Sequence, residues 1–346
     1  MSEEIVLTWE SISVRARERL QGICFLCKVC DGRACAGQIP GIGGVGTGSS
    51  FINNVSALGA IRLNMRTLHS VAEPALESTI FGHRISMPIL GGAVAGAKVN
   101  FQGCISTWDL TWAQVEGAHK AGTIALTGDG PQAEEYAMGL EAIKKAGGAG
   151  MPIIKPRKPE EIIERIRLAE EVEPVAVGID VDAAGLINMR RSGQFVGPLS
   201  PSTLEKICSS TKLPVVVKGI MTKDEAIVAY EAGAAGIVVS NHGGRVLDHT
   251  PGTAEVLPEI ADAVKSKITV MADGGARSGT DVLKFLALGA DAVLIGRPVV
   301  WALMGGGVEG VCLLYKRLAS ELEIAMILTG CRSPEVADKS IIYTTK

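Results

Sequence analysis

The run Ser240-Asn241-His242-Gly243-Gly244-Arg245 sets an imidazole and a guanidinium three residues apart, with two glycines between them. A histidine exchanges a proton near neutral pH. An arginine grips a carboxylate with two parallel hydrogen bonds. Together they suit proton chemistry on a small carboxylic acid. The glycines let the backbone turn tightly and let a ligand approach closely. The competing reading is a solvated glycine loop, because His and Arg often sit in loops without catalytic work. What precedes the loop bears on the choice. Gly236-Ile237-Val238-Val239 is a short apolar run, so a strand ends by presenting the pair.

Eight such runs recur after about residue 85, at 87–90, 123–127, 152–155, 175–180, 214–218, 236–240, 268–273 and 292–296. Most are continuously apolar, as expected of parallel strands buried on both faces. Amphipathic stretches at 159–171, 222–232 and 278–288 read as intervening surface helices, with Thr222 and Ser278 as N-caps. Eight strand–helix units in this length predict an α/β fold closed as a (β/α)8 TIM barrel rather than an open doubly wound sheet. Residues 86–346 form that barrel as one unit, and residues 1–85 form an N-terminal extension with a Cys-rich and a Gly-rich segment. The strand ends carry Lys155, Asp180, Lys218, Ser240 with His242, Asp273 and Arg297. In such a barrel the C-terminal strand ends form the active-site rim. Strands seven and eight run into Asp273-Gly274-Gly275-Ala276-Arg277 and Gly296-Arg297-Pro298. Glycine-rich loops there, with a helix N-terminus, are the usual phosphate site of this barrel. The Gly-rich stretch 41–48 follows no clear strand and does not make a dinucleotide fingerprint.

The 346 residues are 47% hydrophobic with 42 glycines and only 4% aromatic, a balance that fits aliphatic strands and tight turns. A net charge of −3 gives no sign of a nucleic-acid surface. Residues 1–10 lack the charged-then-apolar pattern of a secretory signal, and no apolar run is read as reaching a membrane span of about 18 residues. The expectation is a cytoplasmic protein without membrane or nucleic-acid partners. Asn54-Val55-Ser56 matches a glycosylation acceptor and is read as chance.

Half of the eight cysteines, Cys24, Cys27, Cys30 and Cys35, fall within twelve residues. Cys104, Cys208, Cys312 and Cys331 are scattered and read as small buried apolar residues. The C-x2-C-x2-C-x4-C run is close to the ligand pattern of bacterial iron–sulfur proteins, although its last spacing is one longer and no proline follows. The iron–sulfur reading leads; four thiolates could also hold zinc, or stay unligated. The metal readings are therefore a [4Fe–4S] cluster or zinc.

Val217-Lys218-Gly219, Ser240 to Arg245 with Asp248, Asp273 to Arg277, Gly296-Arg297-Pro298, Leu328 to Arg332 and Asn64-Met65-Arg66 together resemble the FMN-dependent α-hydroxy-acid oxidase and dehydrogenase family, which includes glycolate oxidase, lactate oxidase and flavocytochrome b2. The similarity runs from about Gly43 to the C-terminus and is most specific from Val215 to Val300. The resemblance implies the barrel and an FMN cofactor. It implies Lys218 near the flavin N1–O2 edge, where a positive charge stabilises the anionic reduced ring, and Ser240 at the same end. It implies Asp273, Gly274, Gly275 and Arg277, with Gly296 and Arg297, around ribityl and phosphate. Ala93, Val94 and Ala95 would line the flavin after strand one, and Thr127 would contact the ring. His242 would be the base, Arg245 the substrate-carboxylate clamp, and Asp180 the acid that orients the imidazole.

The chain departs from the family pattern around the substrate. The family's two tyrosines fall at about Pro40 and Pro152. Its flavin-contacting glutamine falls at about Gly150, with Lys155 nearby as a substitute. Its second carboxylate arginine falls at about Ile187, with Arg190 or Arg191 as replacements. The segment between Asp180 and Lys218 is shorter than in the family. The expected activity is FMN-dependent oxidation of a 2-hydroxy acid of unspecified identity, in a homo-oligomer that passes electrons to oxygen or to an acceptor protein. The alternatives are an FMN barrel isomerase resembling type 2 isopentenyl-diphosphate isomerase, and a non-catalytic flavin or metal redox partner.

Overall fold

The structure is a computed structural model that describes residues 7–344. The first six residues of the stretch read for a leader lie outside the described residues. Eight parallel strands close into a barrel: β1 (Ile89–Val94), β2 (Ala125–Thr127), β3 (Gly150–Ile154), β4 (Val177–Asp180), β5 (Val215–Ile220), β6 (Gly236–Val239), β7 (Thr269–Ala272) and β8 (Ala292–Ile295), with β8 pairing back to β1. Their apolar runs are continuous because the lumen and the helix layer both exclude water. Every residue of β2, β3, β4, β6 and β8 is buried.

The helices Pro159–Glu170, Lys223–Glu231 and Gly279–Ala287 fall where periodicity places them. Ser278 caps the last of these by accepting from the Asp281 amide. Thr222 holds the extended cap conformation without a side-chain bond to the turn.

Two strands run past the ends that the sequence reading gave them. β1 does not stop at Leu90 but continues through Gly91-Gly92, so Ala93 and Val94 belong to the strand and only Ala95 follows it. Residues without side chains are needed there. A Cβ on Gly91 would lie 2.8 Å from both the Ala125 Cβ and the Tyr315 hydroxyl. β5 runs past Lys218 to Ile220, and its register to β6 shifts between those residues. Gly219, at φ 107°, makes the bulge, and a Cβ on it would come within 2.5 Å of the Asp182 side chain. The strand therefore yields to Asp182, a residue that matters at the site.

Residues 7–85 share the barrel's core. Ala16, Leu20, Ile23 and Leu58 pack in one cluster with the strand residues. Helix Trp9–Arg19 lies so close to the long helix Arg297–Thr329 that a Cβ on Gly305 would meet the Ile12 carbonyl at 2.0 Å. A hairpin, Ser78–Ile80 with His83–Ile85, turns at Phe81, whose ring lies against Gly236 at the start of β6. It thus sits at the N-terminal end of the barrel and leaves the opposite mouth open. The helix Arg297–Thr329 is long and apolar enough to cross a bilayer, which the sequence reading passed over; 67% of its apolar window is buried in the protein. It is broken at Gly307, which has non-helical φ/ψ.

Candidate active site at the C-terminal mouth of the barrel

One cavity opens among the C-terminal strand ends. It is lined by Ala93, Val94, Ala95, Lys155, Asp180, Lys218, His242, Arg245, Asp273, Gly274, Gly275, Arg277, Gly296 and Arg297. Two expected members are absent from this lining. The Thr127 hydroxyl turns outward to helix Ala133–Lys145, where a Cβ on Gly139 would lie 2.7 Å from it, so the side chain faces away from the cavity. Ser240 is fully buried beneath the loop and accepts the His242 amide at 3.0 Å. It shapes the His242 loop from below.

That loop is held in a costly conformation. His242 itself has φ 57°, a left-handed backbone that a side-chain-bearing residue rarely adopts. Besides Ser240, the Asn241 side chain fixes it, accepting from the Gly244 amide and bonding to Asn54 at 2.7 Å. The Gly244 carbonyl accepts from Val45. Asp248 accepts from the Thr47 and Ser49 amides, tying the Gly-rich segment 41–48 to the same loop. Bonds from the Thr47 amide and hydroxyl, and from the His249 amide, overcome the cost of burial and hold the Asp248 carboxyl down at about 2.

On one side of the mouth the charges are paired. Asp180 takes Lys155 on one oxygen and Lys218 on the other, the latter at 2.9 Å. Burial alone would raise its pKa, but the charges of His242, Lys155 and Lys218 outweigh burial and hold the carboxyl well below its usual range. Burial is likewise outweighed at Lys218, where Asp180, Asp182 and Asp273 push its pKa up. The ammonium therefore stays charged. With Asp180 so occupied, the nearest carboxylate to His242 is a different one. Asp182 Oδ1 lies 2.8 Å from His242 Nδ1, against 3.5 Å for Asp180 Oδ1. The sequence reading gave this contact to Asp180 alone. Asp182 was missed because it lies past the end of β4, in a 3-10 turn over Val181–Gly185 where strand alternation no longer places side chains. Asp182 Oδ2 is buried without a hydrogen-bond partner. Asp180, Asp182 and His242 also bring ligand atoms within 4.8 Å of one another. Lys155 and Lys218 already supply the cations there.

Deeper on this side, Arg157 holds Asp129 with two bonds, at 2.8 and 3.0 Å, and donates to Gln194. Neither residue was singled out from the sequence. Glu135 borders the cavity with both oxygens unpartnered, and burial, with the Asp129 charge next, pushes its pKa up to about 7.

On the other side, Arg245, Arg277 and Arg297 have no carboxylate partner among the described residues. Arg297 donates only to the carbonyls of Ile42, Gly43 and Gly243 and lies 3.6 Å from the centre of the Phe51 ring. Arg245 donates to the Gly43 carbonyl and the Asn100 side chain. Arg277 donates to the Ala276 carbonyl and leaves its Nε bare. Burial, reinforced by Arg277 and Arg245, lowers the Arg297 pKa to about 9, and burial lowers that of Arg245 to about 10. Three guanidinium groups enclosed together repel one another unless an anion joins them. Asp273 Oδ1 is also buried and bare, and a Cβ on Gly296 would meet only open space. Phosphate between the arginines, a hydroxyl on Asp273 and an atom over Gly296 would satisfy all of these. The residues present fit a flavin mononucleotide.

The expected replacements for a second carboxylate arginine do not enter the mouth. Arg190 and Arg191 are exposed, and Arg190 bonds back to the Ala184 carbonyl. The inward residues of that short helix, Ile187–Arg191, are Asn188 and Met189; both line the cavity, and Asn188 donates to Asn100. Its neighbours Leu186 and Met189 form a small apolar cluster with Ala183 and Val196, separate from the main core.

The expected metal ligands Cys24, Cys27, Cys30 and Cys35 form no disulfide and lie outside this cavity's lining. No three of them converge within 4.8 Å. Of the other four, Cys312 and Cys331 are buried, while Cys104 and Cys208 are only partly so.

Comparison with known proteins agrees with this geometry. The family model for FMN-dependent dehydrogenases matches residues 42–194 and 185–344. The chain is 33% identical to human 2-hydroxyacid oxidase 1 over 337 residues, covering 85% of this chain and 88% of the relative. It is 34% identical to 4-hydroxymandelate oxidase of Amycolatopsis orientalis over 343 residues, covering 87% and 93%. A crystal structure of mandelate oxidase with (S)-2-phenylpropionate superposes with a TM-score of 0.78 at 32% identity, covering 97% of both chains. The barrel, its anion-seeking mouth and these likenesses place the chain in the FMN-dependent dehydrogenase family, the family of the 2-hydroxy-acid oxidases.

Proposed function

We propose that this protein is an FMN-dependent enzyme that oxidises a 2-hydroxy acid to the 2-oxo acid. The observation that carries the reading is the pairing of His242 and Arg245 on one strained loop facing a cavity with two more unpaired arginines. Arg277 and Arg297, with Gly274, Gly275 and Gly296, would hold the phosphate end of the cofactor. Ala93, Val94 and Ala95 would back its ring. Bound FMN supplies the acceptor for two electrons.

The chain's own residues do the rest. An Asp182 carboxylate on His242 Nδ1 keeps the proton on that nitrogen and leaves Nε2 free to accept one. His242 Nε2 then takes the substrate proton as general base. Arg245 holds the substrate carboxylate; it donates to Asn100, which is itself fixed by accepting from Asn188. Lys218, kept charged by Asp180, supplies fixed positive charge where negative charge develops. Lys155 neutralises Asp180 from the other side. Leu186 and Met189 offer apolar surface to the substrate side chain.

Anaerobic turnover of a panel of 2-hydroxy acids with an artificial electron acceptor tests the reading. It requires at least one acid, aliphatic or aromatic, to yield its 2-oxo acid. A protein that carries FMN but turns over none of them would leave the reading without support.

A further inference from the structure

The four-cysteine segment takes no part in the chemistry above, yet it is built against the cofactor site. Helix Trp9–Arg19 ends in a turn that delivers Cys24, and Arg17 secures the turn by donating to the Leu26 carbonyl at 3.1 Å. The stretch after Cys30 packs on the Gly-rich segment, where a Cβ on Gly43 would strike the Cys35 carbonyl at 2.0 Å. Gly43 in turn binds Arg245 and Arg297. Two of the four sulfurs already accept hydrogen bonds: Cys24 Sγ from the Leu26 amide at 3.4 Å, and Cys30 Sγ from Arg277 Nη2 at 3.5 Å. Donors aimed at sulfur stabilise a ligating thiolate and tune the potential of the cluster it holds.

The spacing of the sulfurs separates the possible centres. Zinc–sulfur bonds of about 2.3 Å in a tetrahedron put the four sulfurs roughly 3.8 Å apart. No three of these sulfurs lie within 4.8 Å of one another. A single zinc ion would need the segment to contract. A cubane spreads its four thiolates over four irons and asks for a wider set. Arg277 on Cys30 also supplies positive charge against the negative charge of a tetrathiolate centre.

We propose that Cys24, Cys27, Cys30 and Cys35 ligate one [4Fe–4S] cluster beside the arginine end of the cofactor cavity. The ligation stands independently of the oxidation reading, and only its use as an electron outlet rests on that reading. Such a centre carries one electron at a time. The two electrons of each oxidation would leave through it one at a time to two molecules of an external one-electron carrier protein, both reduced as the enzyme is reoxidised, with the protons going to solvent.

The test is metal and sulfide analysis of the full-length holoprotein, purified anaerobically and then reconstituted with ferrous iron and sulfide, with FMN counted separately. About four irons and four sulfides per chain are expected. Cys27 is exposed, so Cys27→Ser should spare the fold, keep FMN at its wild-type content and lower iron and sulfide severalfold. One zinc without sulfide, two irons, no metal after reconstitution, or undiminished iron in Cys27→Ser would each overturn the proposal. Loss of FMN with the cluster intact would instead count against the oxidation reading.

Discussion

The two sides of the barrel mouth treat charge in opposite ways. Around β3 to β5 the buried charges, Glu135 excepted, are paired: Asp180 with Lys155 and Lys218, Asp182 with His242, Asp129 with Arg157. Around β6 to β8, Arg245, Arg277 and Arg297 meet only carbonyls, an amide, aromatic faces and sulfur. A paired lattice is self-sufficient and can fix a proton acceptor in place. An unpaired cluster of guanidinium groups is complete only when an anion arrives. The difference divides the labour: one side positions the base, the other binds the phosphate and the carboxylate.

The comparison breaks most visibly at the base. His242→Ala should lower the rate of flavin reduction by substrate about 10²–10⁴-fold while FMN stays bound, because the phosphate contacts lie on the other side. Stopped-flow reduction at the wild-type rate would remove His242 from the chemistry. Next comes the lattice that holds it. Asp180→Asn leaves Lys155 unpaired and Lys218 with only the more distant Asp182, at 3.9 Å, so denaturant unfolding should show a loss of about 3–5 kcal/mol. An unchanged unfolding midpoint would mean that the lysines find other partners.

Asp182→Asn sharpens the distinction between the two acids. Its loss costs a charge-assisted bond to His242, about 1.5–3 kcal/mol, and should appear as a tenfold to hundredfold lower kcat with KM and stability little changed. If stability fell as in Asp180→Asn, Asp182 would belong to the lattice. If kcat held, it would not position the base.

The smallest effect concerns Glu135. Its folded pKa of about 7 lies above the usual carboxylate value, so the folded state binds a proton that the unfolded chain releases. Its contribution to stability is full at acidic pH, falls as pH rises through about 7, and is level above that. Each pKa unit is about 1.4 kcal/mol, and water in the cavity should hold the total to about 2 kcal/mol. Glu135→Gln should flatten that stretch of the stability–pH curve and raise stability at pH 8. A curve identical to wild type would show that Glu135 is ionised at ordinary cost.

The sequence was most readable where position follows from topology. Lys155, Asp180, Lys218, Asp273 and Arg297 end or follow barrel strands, so closing the barrel brings them together without further information. It was least readable where a side chain's direction depends on packing. Thr127 ends its strand on the helix-facing side, and period-two alternation cannot say which side that is in a strand buried on both faces. Asn188 points in while Arg190 points out because the apolar Leu186 and Met189 fix the roll of a five-residue helix. Asp182 lies past the end of its strand, in room made by a bulge at Gly219 on the neighbouring strand, a contact between segments that no local pattern encodes. The long helix Arg297–Thr329 was overlooked as a single apolar element because glycines break up its sequence.

The central claim is that the unpaired guanidinium groups are the anion end of the site. Titrating flavin-free protein with FMN and with riboflavin, which differ only in the phosphate, tests it most directly. Two guanidinium contacts to phosphate, at about 1.5–3 kcal/mol each, predict that FMN binds at least about a hundredfold more tightly, and that Arg297→Ala removes most of this margin. Equal affinity for the two flavins would contradict the account, because the arginines would then be gathered at the mouth for something other than that phosphate.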